Sequence, residues 1–249
     1  MKKLATFIIE DRYFDDLAQI CADHLKYLPE GTDLFIHTSQ EHIEKYTEEL
    51  SALGLTATFK IHDKESEIPY SIKYIPGINQ IMEDVRMKSL FNMCMVMTKP
   101  EFWREYFDYE RVLIFQRDTG LLREGIEEFF EWDYVGAPCY NFVKDQTIQN
   151  GGLSLRNPRT MEYVCRMYGW NVDIQDMMVV GQYSSASFFA EDIFFCLRMI
   201  KHNAGRLAPL EESKKFSCEM KYELGTLGYH NLKPYMTEEE IKTILDQRK

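Results

Sequence analysis

Residues 111–120 read RVLIFQRDTG. Val112, Leu113, Ile114 and Phe115 form a short run of branched and aromatic residues, which suits a strand buried on both faces. The run stops at Gln116, Arg117, Asp118 and Thr119, and Gly120 supplies a turn residue. In an open α/β sheet, ligands sit just beyond the carboxyl ends of the strands. A buried strand that delivers an aspartate to that edge is well placed to hold a metal ion or a phosphate. Asp and Gly are also common turn formers, so Asp118 as a plain turn cap is the competing reading.

The chain before this strand supplies its neighbours. Residues 4–9 read as a buried strand ending at Glu10, Asp11 and Arg12, where a nucleotide base or ribose is often met in such sheets. Tyr13, Phe14, Leu17, Ile20, Cys21, Leu25 and Leu28 then recur at helical spacing. Residues 33–37 form a second strand. Ser39 is placed to cap a helix with Ile43, Tyr46, Leu50 and Leu53 on its apolar face, closed by Gly54. Residues 55–61 form a third strand. The order β-α-β-α-β implies right-handed crossovers and a parallel sheet. Residues 63–76 are a polar loop of a length that often serves function. Residues 78–97 are Met-rich with helical spacing, and Pro100 suits the first turn of a helix running to Tyr106.

After Thr119 the pattern predicts a short helix at 125–130, a strand at 134–138 and a surface loop at 139–149. Asn150, Gly151 and Gly152 follow. Two glycines let a backbone approach a ligand closely. Leu153 and Leu155 then alternate with Ser154 and Arg156, as in a strand. Asn157 and Pro158 cap and start a helix through Tyr168. Residues 169–190 are of low regularity, fitting a mobile lid or an ordinary surface excursion. Glu191 and Asp192 open a helix, and acidic residues in a first turn favour the helix dipole. Residues 206–210 suit one more short strand. Thr237 with Glu240 three residues on is a capping box for a last helix.

Composition sets limits on all this. The 249 residues are 45% hydrophobic and 14% aromatic, ample for a large α/β core. The net charge of -11 argues against a general nucleic-acid binder, which needs a basic face. The six cysteines are scattered without a CxxC pair, as in a reduced cytoplasmic protein that uses them as small apolar residues. Acidic residues arrive at Glu10, too early for a signal peptide, and no apolar run approaches a membrane span. Of the histidines, only His230 falls in a loop with a motif around it. His24, His37, His42, His62 and His202 fall on elements or at their ends.

Four pieces stand out: Gln116-x-Asp118-Thr119, Asn150-Gly151-Gly152, Glu191-Asp192 and His230-x-x-Lys233-Pro234. Together with Phe102-Trp103, Asp133–Pro138 (DYVGAP), NGGLSLR and Gly228-Tyr229-His230, their order and spacing resemble the GT-A class of nucleotide-sugar glycosyltransferases. The resemblance is closest to a family of uncharacterised glycosyltransferases with QxDT and NGGLSLR motifs. It covers roughly residues 86–235.

The resemblance implies a GT-A-like single α/β domain over residues 1–249, with a Rossmann-like, mostly parallel central sheet flanked by helices. Residues 1–120 would be the nucleotide-binding half and 121–249 the acceptor and catalytic half. It implies transfer of a hexosyl or pentosyl group from a nucleotide-diphosphate sugar, a UDP-sugar foremost, to a hydroxyl acceptor. That acceptor would be a glycan, a lipid-linked glycan or a hydroxylated DNA base. It also implies a divalent cation, Mn²⁺ or Mg²⁺, on the donor diphosphate. Asp118 would be the main carboxylate ligand, because Gln116 stands where the usual Asp-x-Asp motif has its first acid, and His230 would complete the metal site. Glu10, Gln116, Arg117, Thr119, Asn150, Gly151, Gly152 and Lys233 would contact the donor. Asp192 would be the general base of an inverting transfer, with Glu191 at donor-sugar hydroxyls or the two roles exchanged. A tail of the His-Lys-Pro kind also occurs in some retaining enzymes. Two other classes compete: a non-catalytic sugar-nucleotide or glycan-binding protein with the same fold, and a metal-dependent phosphotransferase or nucleotidyltransferase. The last lacks a Walker-type loop.

Overall fold

The computed structural model describes residues 2–61, 85–143, 145–169 and 190–247. Its centre is a six-stranded sheet. The strands are β1 (Lys2–Ile9), β2 (Asp33–Thr38), β3 (Thr58–Ile61), β4 (Tyr109–Phe115), β6 (Tyr134–Val143) and β7 (Gln146–Arg156). Their spatial order is β3-β2-β1-β4-β7-β6. The pairs β1–β2, β1–β4 and β2–β3 are parallel, and β7 runs antiparallel to both its neighbours. The sheet is therefore mostly parallel, and β4 is an interior strand as its sequence requires: Val112 to Phe115 are all buried.

The pleat sorts the core into two layers, because alternate residues of a strand face opposite ways. Ala5, Phe7, Val112 and Ile114 face one side. There they meet α4 (Pro100–Arg104), α5 (Pro158–Tyr168) and α6 (Glu191–His202) through Trp103, Val164 and Phe195. Leu4, Ile8, Leu113 and Phe115 face the other side. There they meet α1 (Leu17–Leu25), α2 (Ile43–Ala52) and α7 (Leu210–Phe216) through Leu17, Cys21, Tyr46 and Phe216. α3 (Val85–Met97) precedes α4. Five of the six cysteines are buried as small apolar residues and all six are free thiols.

Two local signals act where the sequence places them; a third, Ser39, does not cap, because its hydroxyl donates to the Asp11 carbonyl and His42 is the N-cap of α2. The Asn157 side chain accepts from the N–H groups of Arg159 and Thr160, with Pro158 in the first turn of α5. Thr237 and Glu240 form a reciprocal capping box on α8 (Glu238–Leu245). Among the described residues no helix is long and apolar enough to cross a membrane.

Several elements differ from expectation. The loop expected at 139–149 is the tip of the β6–β7 hairpin, with register shifts between Gly136 and Phe142. Its alternation is hidden by polar residues turned inward. Gln149 is fully buried, its amide donating to the Ala208 carbonyl and accepting from the Gly136 N–H. The short helix expected at 125–130 is a 3₁₀ turn, Ile126–Phe129. The strand expected at 206–210 reduces to a single bridge between Tyr134 and Leu207, after which Leu210 begins α7. The loop expected at 63–76 lies outside the described residues, as does nearly all of the stretch 169–190.

A second, three-stranded sheet was not foreseen. It is ordered β5 (Thr119–Leu121), β9 (Gly228–His230), β8 (Ser217–Cys218). β5 pairs antiparallel with β9, setting Thr119 opposite His230. This small sheet closes the carboxyl edge of β4.

Candidate functional site

β4 ends at Phe115 and hands Gln116, Arg117 and Asp118 to the sheet edge. There they meet the residues that follow β1. Glu10, Asp11 and Arg12 on one side and Ser89 and Met93 of α3 on the other enclose, with Gln116 to Asp118, a cavity of about 290 Å³. That is near the lower end of the size range of small-ligand sites. Its floor is pre-organised. The Glu10 carboxylate accepts from Arg12 Nε at 2.8 Å and Nη2 at 2.9 Å, and Ser89 Oγ donates to Asp11 Oδ1 at 2.6 Å.

Asp118 is half-exposed, whereas His230 is buried beneath it, with Nε2 3.6 Å from Asp118 Oδ1. The backbone fixes this pairing. The Thr119–His230 register and a bond from the Asn231 N–H to the Asp118 carbonyl at 2.9 Å hold β9 against the turn after β4. On the far side of the ring, Nδ1 lies 3.5 Å from Glu219 Oε1. Burial alone would pull the imidazole pKa down, but Glu219, Asp118 and Asp192 outweigh it and the net shift is upward.

Gly151 and Gly152 of β7 join this corner to a second one. A Cβ on Gly152 would overlap the His230 ring and come 2.9 Å from Gln116 Oε1. A Cβ on Gly151 would overlap Glu191 Oε1 and come 2.7 Å from Arg156 Nη2. Both positions therefore require glycine for space. The Gly151 N–H donates to Asp192 Oδ2 at 3.0 Å, and the Gly152 N–H donates to Asn150 Oδ1 at 2.6 Å. Asp192, at the start of α6, also accepts from the Ile193 N–H at 2.7 Å. Burial, and after it the charge of Glu191, pushes the Asp192 carboxyl up to about 6 in spite of these two N–H bonds. A carboxylate of that kind takes up a proton near neutrality, as a general base must.

Glu191 has a partner inside the protein. It is buried, and Arg156 holds both its oxygens, through Nη1 at 2.5 Å and Nη2 at 3.0 Å. Arg156 is itself fully buried, between the rings of Tyr134, Phe195 and Trp103. Burial opposes the guanidinium charge, and Glu191 more than offsets it. The pair ties α6 to β7 beneath the diglycine. Glu191 thus serves as the buried counter-ion of Arg156. Strand alternation carried the signal: Arg156 shares a face with Ser154, opposite Leu153 and Leu155.

Other expected contacts divide. Glu10 and Gln116 line the cavity. Arg117 reaches its rim, but the guanidinium is taken up by Asp16 at 2.9 Å and lies 3.4 Å over the Phe14 ring. Thr119 is buried, its hydroxyl donating to the Gln116 carbonyl at 2.6 Å and 3.0 Å from His24 Nε2. These contacts hold the turn after β4. Lys233 is exposed on the segment after β9. Asp11 and Arg12 stand at the end of β1, where the sequence places a nucleotide contact, whereas no periodicity or motif marks Glu219 and Ser89.

Among the described residues, no group of three His, Cys, Asp or Glu side chains is placed to hold a metal ion. The two donors Asp118 and His230, 3.6 Å apart, fit a cation that takes its other ligands from phosphate and water. They do not form an all-protein cage.

A model of the family described as "Protein of unknown function (DUF5672)" matches residues 77–233, more than half of the chain. No curated protein sequence matches. Among solved structures, the chain is similar to the apo form of mouse xyloside xylosyltransferase 1. Identity is 11%, the TM-score is 0.54, and the match covers 95% of this chain and 99% of that one. The likeness is one of fold, and the fold is GT-A-like.

Proposed function

We propose that this chain, which belongs to the DUF5672 family, is a metal-dependent glycosyltransferase that moves a sugar from a nucleotide-diphosphate sugar to a hydroxyl acceptor. The observation that carries the reading is the convergence, at one sheet edge of a GT-A-like fold, of three groups. These are a nucleoside-sized cavity at Glu10 to Arg12, the Asp118–His230 pair, and Asp192 with its raised pKa.

In this reading the donor base and ribose enter the cavity between β1 and α3, against Glu10 and Gln116. Asp118 and His230 would hold Mn²⁺ or Mg²⁺. The cation, when bound, neutralises charge on the departing diphosphate. Lys233 adds a positive charge from the open side. Gly151 and Gly152 let the donor sugar lie close to the β7 backbone, with Asn150 beside them. Asp192 orients the acceptor hydroxyl and takes its proton as the oxygen attacks the anomeric carbon. The new C–O bond forms as the bond to the diphosphate oxygen breaks, and the electron pair leaves with the nucleoside diphosphate. Attack opposite the leaving group makes the transfer inverting.

The experiment is incubation with a panel of nucleotide-diphosphate sugars, UDP-xylose and UDP-hexoses included, with Mn²⁺ and pooled glycan acceptors, read by mass spectrometry. Release of nucleoside diphosphate with a mass gain on an acceptor, lost in Asp192→Asn, is the expected result. Binding of a donor without transfer to any acceptor would favour a sugar-nucleotide-binding protein. The replacement of an acid by Gln116 at the sheet edge is the feature that supports this second reading.

A further inference from the structure

We infer that Glu219 is a positioning residue. It holds the His230 ring in the Nδ1–H tautomer and so aims the Nε2 lone pair at the space beside Asp118. This deepens the proposed metal site and rests on that reading for its consequence, though not for its geometry.

The observations are these. His230 and Glu219 are both buried, so neither group is free to trade partners with bulk water. Nδ1 has no hydrogen-bond partner in this conformation, yet Glu219 Oε1 lies 3.5 Å away. A small closure completes the bond. The other nitrogen, Nε2, faces Asp118 at 3.6 Å. The two ring nitrogens diverge, so one faces a carboxylate inside the protein and the other a half-exposed carboxylate at the sheet edge.

An imidazole that ligates through Nε2 must be neutral and carry its proton on Nδ1. A carboxylate on Nδ1 selects that tautomer, fixes the ring plane and raises the basicity of the ligating nitrogen. Glu219 can do this because it follows β8 directly, and β8 runs parallel to β9 with Cys218 opposite Tyr229. The small sheet therefore brings Glu219 beside His230. The chain places 10 residues between the two in sequence, with no motif linking them.

The test has a metal-free arm and a metal arm, both on the full chain. In the first, nitrogen-15 shifts of labelled histidine are read at about pH 9. The expected result is Nδ1–H at His230 in the wild type and a shift toward Nε2–H in Glu219→Ala, with Glu219→Gln intermediate because its amide oxygen still accepts. In the second, Mn²⁺ affinity is measured by electron paramagnetic resonance. Glu219→Ala is expected to weaken it by about 10- to 100-fold, the usual effect of losing such an outer partner. A wild-type Nε2–H tautomer, or a tautomer unchanged in Glu219→Ala, overturns the inference. So does an unchanged Mn²⁺ affinity in that variant. Absence of Mn²⁺ binding in the wild type, with the tautomer shift observed, overturns the metal reading and leaves the positioning role standing. Glu219→Gln serves if the alanine variant does not fold.

Discussion

Gly152 lies against the His230 imidazole so closely that a Cβ at this position would overlap Nε2 and Cδ2. The diglycine of β7 is thus a spacer cut to fit the side chains packed against it. In Gly152→Ala the ring must move away from Asp118 or the strand must shift. Overpacking of this kind costs about 1–3 kcal/mol. The expected outcome is a folded chain by circular dichroism with Mn²⁺ affinity lowered about 10-fold or more. Unchanged Mn²⁺ binding would show that His230 does not set the metal site.

Arg156 and Glu191 form a buried pair whose loss has a different signature. Truncating either partner leaves an uncompensated charge in the core, which costs about 3–5 kcal/mol. Arg156→Ala and Glu191→Ala are expected to lose stability of that order in urea titrations. A loss under about 1 kcal/mol, as for an exposed pair, would contradict this placement.

Asp192 gives a pH prediction with a definite sign. Its folded pKa, about 6, lies above the ordinary value of 3.8. Between those values the folded chain binds a proton that the unfolded chain releases, so this group makes stability fall as pH rises through the window. Transfer needs the ionised base and is expected to rise with pH through about 6. Asp192→Asn is expected to lose about 10²- to 10⁴-fold in kcat. The same variant should gain on the order of 1 kcal/mol of stability at pH 7. Full activity in Asp192→Asn would remove it as the base, and a pH-independent stability difference would remove the raised pKa.

Arg117 and Lys233 separate by the partners they keep. The Arg117 guanidinium is already bound to Asp16 at an exposed site, where such a pair is worth at most about 1 kcal/mol. Arg117→Ala is expected to leave donor affinity unchanged. Lys233→Ala is expected to weaken donor binding, with the difference shrinking as salt rises from about 0.1 M to 1 M and the Debye length falls from about 10 Å to 3 Å. The reverse pattern in calorimetry would exchange their roles.

The parallel half of the sheet and the edge where Asp118 stands were legible in the sequence because buried parallel strands are continuous apolar runs. Residues 4–9 and 112–115 could hardly be anything else. The Asn157 cap and the Thr237–Glu240 box were legible because capping is local. The tip of the β6–β7 hairpin, residues 139–149, was not, because its inward positions include Gln149, whose burial depends on the distant Ala208 carbonyl. The Arg156–Glu191 pair was not legible for the same reason. An acidic pair at a helix start does not say which member faces the core, and only the alternation around Arg156 hinted at it. Glu219 left no trace, since a two-residue strand has no period to read.

The central claim is a donor site that needs both a cation and the Asp118–His230 pair. The most direct measurement is thermal unfolding with UDP-, GDP-, CMP- and dTDP-sugars, each with and without Mn²⁺, on the wild type, Asp118→Ala and His230→Ala. A ligand at 100 times its Kd adds about 2.7 kcal/mol. For a chain of this size that raises Tm by roughly 5–10 °C. The account expects such a rise with one nucleotide class, only with Mn²⁺, and in the wild type alone. A rise of the same size without metal, or one retained in both variants, would contradict it.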